Sequence, residues 1–302
     1  MDVSIVSGHL VYAVPMREMY ALVRGSEGVV LERRRAPDPS PDEVAIDVAF
    51  AGVCRTDLSV ADGSMSAASP VVLGHELAGR IAAIGCAVRG LEIGQPVSAV
   101  PFLETRWLGV DLDGAFAERV CVPASCVVRL PDSMPLLRGV YVEPLAAALG
   151  SLPAIARGAR VRIGGVGRIA ELTSRVVSAH GAQVVHEGLC DVAIEHDGDA
   201  GALIAALRHG GTLLLKSRAR RALVVDAGDI VARELIVRGA SHGSFVAAVD
   251  WLHAGRVVID DLLAPPRSLD EFEGVLAAAR ASEREKQVFA IVPSLERGRC
   301  AA

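Results

Sequence analysis

The chain has 302 residues, 51% of them hydrophobic, so it can bury the core of one large or two ordinary domains. Its net charge of −5 argues against a nucleic-acid or anionic-membrane partner. No run is long and apolar enough to span a bilayer, and the N-terminus lacks the basic start and apolar core of a secretory signal. Six cysteines, at 54, 86, 121, 126, 190 and 300, have no framework spacing and suit reduced thiols in a cytoplasm. Arg218, Arg220 and Arg221 form a small basic cluster that reads as a solvated turn.

Residues 1–18 read as a loose extension, and Met19 to Val23 as the first strand. Residues 42–53 alternate polar and apolar with period two, the pattern of a half-buried strand. Short strands follow at Leu77 to Ile84, Pro96 to Val100 and Ala115 to Val122, punctuated by Gly79, Gly85, Gly90 and Gly94. This half is β-rich with short turns, as in a small barrel. Near residue 145 the character changes. Leu145 to Ala156 reads as a helix and Arg160 to Gly164 as a strand. A glycine turn and a helix from about Arg168 to His180 follow. Strands at Gln183 to His186, Asp191 to Ile194 and Thr212 to Leu215, with a helix at Ala200 to Leu207, continue an alternation that predicts a parallel sheet with right-handed crossovers. One more strand lies within Asp229 to Gly239, helices at Phe245 to Ala254 and Leu269 to Ala281, and a last strand at Gln287 to Val292.

Three segments carry the chemistry: Gly52-Val53-Cys54-Arg55-Thr56-Asp57, Gly74-His75-Glu76 and Glu143-Pro144-Leu145. Cys54, His75, Glu76 and Glu143 offer one thiolate, one imidazole and two carboxylates. A structural zinc site would be all Cys, or Cys with His; a mixed set suggests a metal with an exchangeable position for water or substrate. Taken singly, the same residues read as a buried thiol, a core histidine and two solvated acids.

In the order and spacing of its motifs the chain resembles the zinc-containing medium-chain dehydrogenase/reductase family, in particular its sorbitol- and threonine-dehydrogenase-like branch. The segments are Gly-Val-Cys-Arg-Thr-Asp-Leu (52–58), Gly-His-Glu-Leu-Ala-Gly (74–79), Asp-Gly-Ala-Phe-Ala-Glu (113–118), Glu-Pro-Leu-Ala (143–146) and Gly-Val-Gly-Arg-Ile-Ala (165–170), within residues 19 to 293. The resemblance implies an α/β chain. A chaperonin-10-like β-barrel catalytic domain would span 1–146 and 264–302, and a truncated Rossmann domain 147–263. It implies zinc on Cys54, His75, Glu76 and Glu143. Asp57 would orient the metal-bound His75 and Thr56 would pass the substrate proton, with Ser59 where some relatives carry a relay histidine. Relatives carry a four-cysteine lobe for a second zinc; here Pro96 to Gly114 holds no cysteine, so one zinc per chain is expected.

Gly165 and Gly167, with Arg168 and Ile169 opening the helix, are the expected pyrophosphate turn. After it the chain departs from the family. Strand Val184 to Glu187 is followed almost at once by Leu189 to Ile194, and about 30 residues of a typical repeat are missing. Those residues normally wall the adenosine pocket. Glu187 is the acid near that strand end; it reads either as the ribose partner, favouring NAD(H) over NADP(H), or as a solvated turn residue. The expected activity is zinc-dependent interconversion of a small alcohol and its ketone or aldehyde with a nicotinamide. The alternative is a non-redox zinc Lewis-acid enzyme, a lyase, hydratase or isomerase. The expected partners are a small-molecule substrate and further copies of the chain, as a homodimer or homotetramer, with no nucleic acid and no membrane. Trp107, Phe102 and Leu58 are the expected pocket lining.

Overall fold

The computed structural model describes residues 3–6, 9–12, 17–217 and 224–291. Arg218, Arg220, Arg221 and Cys300 lie outside them. Within the stretch that the sequence suggests is a loose extension, Val3–Val6 and His9–Tyr12 pair antiparallel.

The first half is built around one long strand, Glu43–Gly52. It pairs antiparallel with Glu76–Ile84, Arg119–Pro123 and Val288–Ala290 within a seven-stranded sheet. Its buried positions, among them Val44, Ile46, Val48 and Ala51, join Leu22, Leu77, Ile81, Phe116 and Phe289 in the barrel core. A second sheet pairs Glu18–Gly25 with Gly28–Arg35 and with Val71–Val72. Gly28–Arg35 has no fully buried position and ends in a run of four charged residues, which is why alternation did not reveal it. The strand expected over Ala115 to Val122 begins later, at Arg119. Ala115 and Phe116 instead hydrogen-bond across to Gly74 and Leu73. In place of a cysteine lobe, Phe102–Leu103 and Arg106–Trp107 form a small hairpin.

The second half is a five-stranded parallel sheet. Its spatial order is Gln183–Val184, Arg160–Ile163, Cys190–Glu195, Leu207–Leu215, Ile236–Gly239. Helices Arg168–His180, Gly201–Ala205 and Ala227–Ala232 make three of the four connections and residues 185–189, without a helix, make the other, which leaves the first strand inside and the second beside it. A complete doubly wound sheet carries another strand beyond the second. Here the two-residue strand Gln183–Val184 is the edge, so the sheet is a shortened Rossmann sheet. Helix Arg168–His180 buries Leu172, Thr173, Val176 and Val177 on one stripe. It ends at Gly181 in the left-handed region, the usual glycine stop. The helix expected over Leu145 to Ala156 starts earlier, at Val142, and stops at Leu149 before a short 3₁₀ turn at Leu152–Ala154. Pro144 is tolerated because it sits in the first turn, where no N–H bond is lost. That start puts Glu143 on the helix, facing inward.

The chain then returns to the barrel. Strands Arg267–Ser268 and Val288–Ala290 pair with each other, and the latter lies against Glu43–Gly52. The return brings residues 283–286 between the two sheets, beside Gly52 and Gly167. Among the described residues, no helix is long and apolar enough to cross a membrane.

Candidate active site

The long strand ends at Gly52, and helix Arg55–Ala61 begins three residues later with Cys54 at its N-cap. The helix is only seven residues long and lacks the usual Ser or Thr cap. Asp57, in its first turn, folds back and makes two bonds. Its Oδ2 accepts the Cys54 N–H at 2.8 Å, and its Oδ1 lies 3.0 Å from His75 Nδ1. A carboxylate only accepts, so Nδ1 carries a proton, and Nε2 is the nitrogen turned away from Asp57. His75 is fully buried, and its Nε2 has no hydrogen-bond partner. A buried polar atom without a partner is costly. The ligand atoms of Cys54, His75 and Glu76 all lie within 4.8 Å of one another. Thiolate, imidazole and carboxylate around an orphaned nitrogen fit a zinc ion, with Asp57 as the outer partner that orients the histidine.

The two glutamates are differently held. Glu76 Oε2 is paired with the buried ammonium of Lys286. Gly52 makes this approach possible: a Cβ there would stand 2.6 Å from Glu76 Oε2 and 3.0 Å from Lys286 Cδ. Burial pushes the Glu76 carboxyl up, Lys286 opposes it, and nearby Glu143 adds to the rise, so the net shift is upward. Glu143 is shifted the other way. Burial would raise it, but the hydrogen bond from His242 and the neighbouring positive groups hold it below the usual carboxylate range. Glu143 Oε1 lies 2.8 Å from His242 Nε2. The structure therefore brings Cys54, His75 and Glu76 together and places Glu143 in the same cavity, turned onto His242.

That cavity holds about 260 Å³. Thr56, Trp107, Tyr141 and Ile169 line it beside the four candidate ligands. Ser59 faces an adjoining space, which Thr56 also borders. Phe102 borders that second space too, whereas Leu58 is packed in the barrel core and lines neither. The aromatic rings run in a row: His75 to Trp107 at 5.2 Å, Trp107 to Phe102 at 5.1 Å, Phe102 to His242 at 4.8 Å.

The glycine turn has the expected frame. Gly165 and Gly167 have φ of +87° and +91°, between strand Arg160–Ile163 and the helix opening at Arg168. A groove of about 570 Å³ runs from it along Val184 and His186. Glu187 is exposed and does not line this groove. A carboxylate, the Glu283 side chain, lies over Gly167.

Comparison with known proteins agrees with this architecture. The family model of the alcohol dehydrogenase GroES-like domain matches residues 40–132. L-threonine 3-dehydrogenase from Stenotrophomonas maltophilia is 34% identical over 209 residues, covering 61% of this chain and 62% of the relative. The chain thus spans about three fifths of the length of the curated relatives it matches. Among solved structures, a protein assigned as a zinc-binding dehydrogenase from Sinorhizobium meliloti, bound to NADP, superposes with a TM-score of 0.83 at 25% identity, covering 92% of this chain and 100% of that one. The 2R,3R-butanediol dehydrogenase of Bacillus subtilis shares the fold, with a TM-score of 0.83 at 22% identity over 90% of this chain and 99% of that one. Residues 40–132 carry the alcohol dehydrogenase GroES-like domain, and the chain as a whole is similar to zinc-type medium-chain dehydrogenases/reductases.

Sequence reasoning missed His242, Lys216, Lys286 and Glu283. A signal for two of them was present. Lys216 and Lys286 are the only lysines in the chain; every other member of the 31 Lys and Arg residues is arginine. Both line the cavity. Lys216 Nζ donates to Ala147 O at 2.7 Å and Ser241 O at 2.8 Å, tying helix Val142–Leu149 to the loop that carries His242. A compact ammonium satisfies such converging acceptors where a planar guanidinium does not.

His196, at the end of strand Cys190–Glu195, is held neutral. Burial and then Lys216 lower it from 6.5 to about 4, against Glu195 and Asp197. In the unfolded chain it takes a proton near 6.5, so between those values the unfolded state binds more protons than the folded one. This group's stability is therefore full above pH 6.5 and is lost as pH falls toward 4. Urea midpoints of His196→Gln should fall less between pH 7 and 4 than those of the parent chain; equal falls would show that His196 is not held neutral.

Proposed function

We propose that this protein interconverts a small alcohol and its ketone or aldehyde, with one zinc per chain and a nicotinamide cofactor. The observation that carries the reading is the buried, unpartnered His75 Nε2 set among Cys54 and Glu76 at the wall of a substrate-sized cavity. The relatives named above are dehydrogenases, which supports an oxidoreductase over a lyase or isomerase on the same fold. Zinc held by Cys54, His75 and Glu76 supplies Lewis-acid polarisation of the substrate oxygen, and the nicotinamide supplies the hydride acceptor or donor.

The chain's own residues do the rest. Asp57 fixes the tautomer and ring orientation of His75. Lys286 balances the charge of Glu76, and His242 keeps Glu143 ionised at the cavity wall, as a group that alternates with water near the metal. Thr56 borders both the metal cavity and the adjoining space with Ser59, so its hydroxyl is placed to take the proton of the substrate alcohol and pass it outward. Trp107 and Ile169 exclude water from the reacting face.

A nicotinamide is proposed without a choice between NAD(H) and NADP(H), because Glu187, the acid that would select, stands outside the groove. We place the domain boundaries near 146 and 264, where the chain leaves and rejoins the barrel sheet. The five described cysteines are all free thiols, which supports a reducing, cytoplasmic setting. A homodimer or homotetramer is supported by the bare edge strand Ile236–Gly239, where Ile236 and Val237 are exposed.

The test is turnover. Zinc-loaded protein should oxidise small secondary alcohols with NAD or NADP, and Thr56→Val should keep its zinc and fold while losing roughly 10²-fold or more in kcat, the scale of general acid–base effects. Unchanged kcat in that variant removes Thr56 from the mechanism. Absence of turnover with either nicotinamide, zinc being present, removes the oxidoreductase reading.

A further inference from the structure

The anion held at the start of helix Arg168–His180 is part of the chain itself. A Cβ on Gly167 would stand 2.8 Å from both Cβ and Oε2 of Glu283. The Arg168 N–H, which opens the helix, donates to the Glu283 carbonyl at 2.8 Å. The Glu283 carboxylate is ion-paired with Arg55, the residue after Cys54. A helix start and a guanidinium together make an anion seat; here the first meets the Glu283 main-chain carbonyl and the second its carboxylate. Glu283 gets there from the turn between helix Phe272–Ala281 and strand Val288–Ala290. It also borders the metal cavity and the space beside Ser59.

We propose that Glu283 is a built-in occupant of the pyrophosphate seat and sets the dinucleotide affinity, because it must leave before the cofactor's phosphates arrive. The proposal rests on the nicotinamide reading given above. Two anions cannot share one arginine and one helix start without repulsion, so phosphate and carboxylate compete. The hold is weak enough to yield: the Arg55 and Glu283 side chains are 68% and 40% exposed, and exposed pairs contribute little. On exchange Arg55 passes from the carboxylate to phosphate, and the arginine is never left unpaired. The backbone bond from Arg168 is lost at the same time, and its N–H turns to the incoming oxygen.

Fluorescence titration of the zinc-loaded full chain with NADH tests this, with adenosine as a probe that carries no phosphate. Glu283→Gln removes the charge and keeps the size. It should bind NADH about tenfold tighter or more than the parent chain, since juxtaposed like charges are costly. Adenosine affinity should not change. Arg55→Gln added to Glu283→Gln should abolish the gain. NADH affinity equal to or weaker than the parent's overturns the proposal and leaves the nicotinamide reading standing. A gain of the same size for adenosine also overturns it, because general loosening of the turn would move both probes. If neither protein binds NADH or NADPH at millimolar concentration, the nicotinamide reading falls and takes the proposal with it.

Discussion

Cys54→Ala, purified under the same conditions as the parent chain, should contain almost no zinc and have no measurable turnover. The parent should contain about one zinc per chain. Loss of an outer partner of a metal ligand costs about 10–100-fold in metal affinity, so loss of the thiolate itself should exceed about 100-fold. Asp57→Asn calibrates the scale: it keeps the ring contact but weakens the charge behind His75 and should fall within that lower range. The fold should survive Cys54→Ala, because Cys54 is only half-buried and its sulfur is a weak acceptor in the capping box it shares with Asp57. Metal analysis with circular dichroism checks both halves of the expectation. Full zinc occupancy in Cys54→Ala, or two tightly held zincs in the parent chain, would overturn the assignment of Cys54, His75 and Glu76 as the metal site.

Lys286→Met should be the most destabilising single change at the site. Lys286 and Glu76 are both almost fully buried, and the ammonium is the direct partner of the carboxylate. Removing one member of such a pair leaves a buried charge and costs about 3–5 kcal/mol. The loss is expected in metal-stripped protein measured by urea denaturation. It should shrink with zinc present, because the carboxylate then has a second cation. Glu76→Gln combined with Lys286→Met should recover most of it, since an uncharged amide needs no counter-ion. A loss below about 1 kcal/mol in the stripped protein would mean that the pair is solvated, contrary to its burial.

The metal half of the site was legible because its residues lie in short, chemically distinctive segments. Cys54 and Asp57 share one turn, and His75 and Glu76 are neighbours. The long strand and the helix Arg168–His180 were legible for a different reason, since their periods of two and 3.6 are plain. The groups that set the charge of the ligands were not. Lys286 meets Glu76 across 210 residues and His242 meets Glu143 across 99, and both contacts depend on which strand lies beside which. Register between distant strands leaves no local mark, so neither pair has a motif. Glu283 was hidden in the same way: as sequence it is one acid in a charged turn, Glu283-Arg284-Glu285. The shortened sheet was visible as a missing interval, and the two-residue edge strand is its structural counterpart.

Helix Arg168–His180 is fastened at two places along its length. Arg168 Nη2 bonds Val53 O at 3.0 Å, next to Cys54. Arg175 bonds Val258 O and both oxygens of Asp261, each at 2.7 Å. The 258–262 stretch is in turn anchored by Asp260 on Arg138 and by Leu262 O on the Tyr141 hydroxyl. Seven residues of helix separate the two rivets by about 10 Å. A single rivet is a pivot, about which one half of the molecule swings freely against the other. Two rivets that far apart resist torque, and the halves then turn as one body. A ligand reaching the inner cavity passes Glu283, which lies over the turn and lines that cavity.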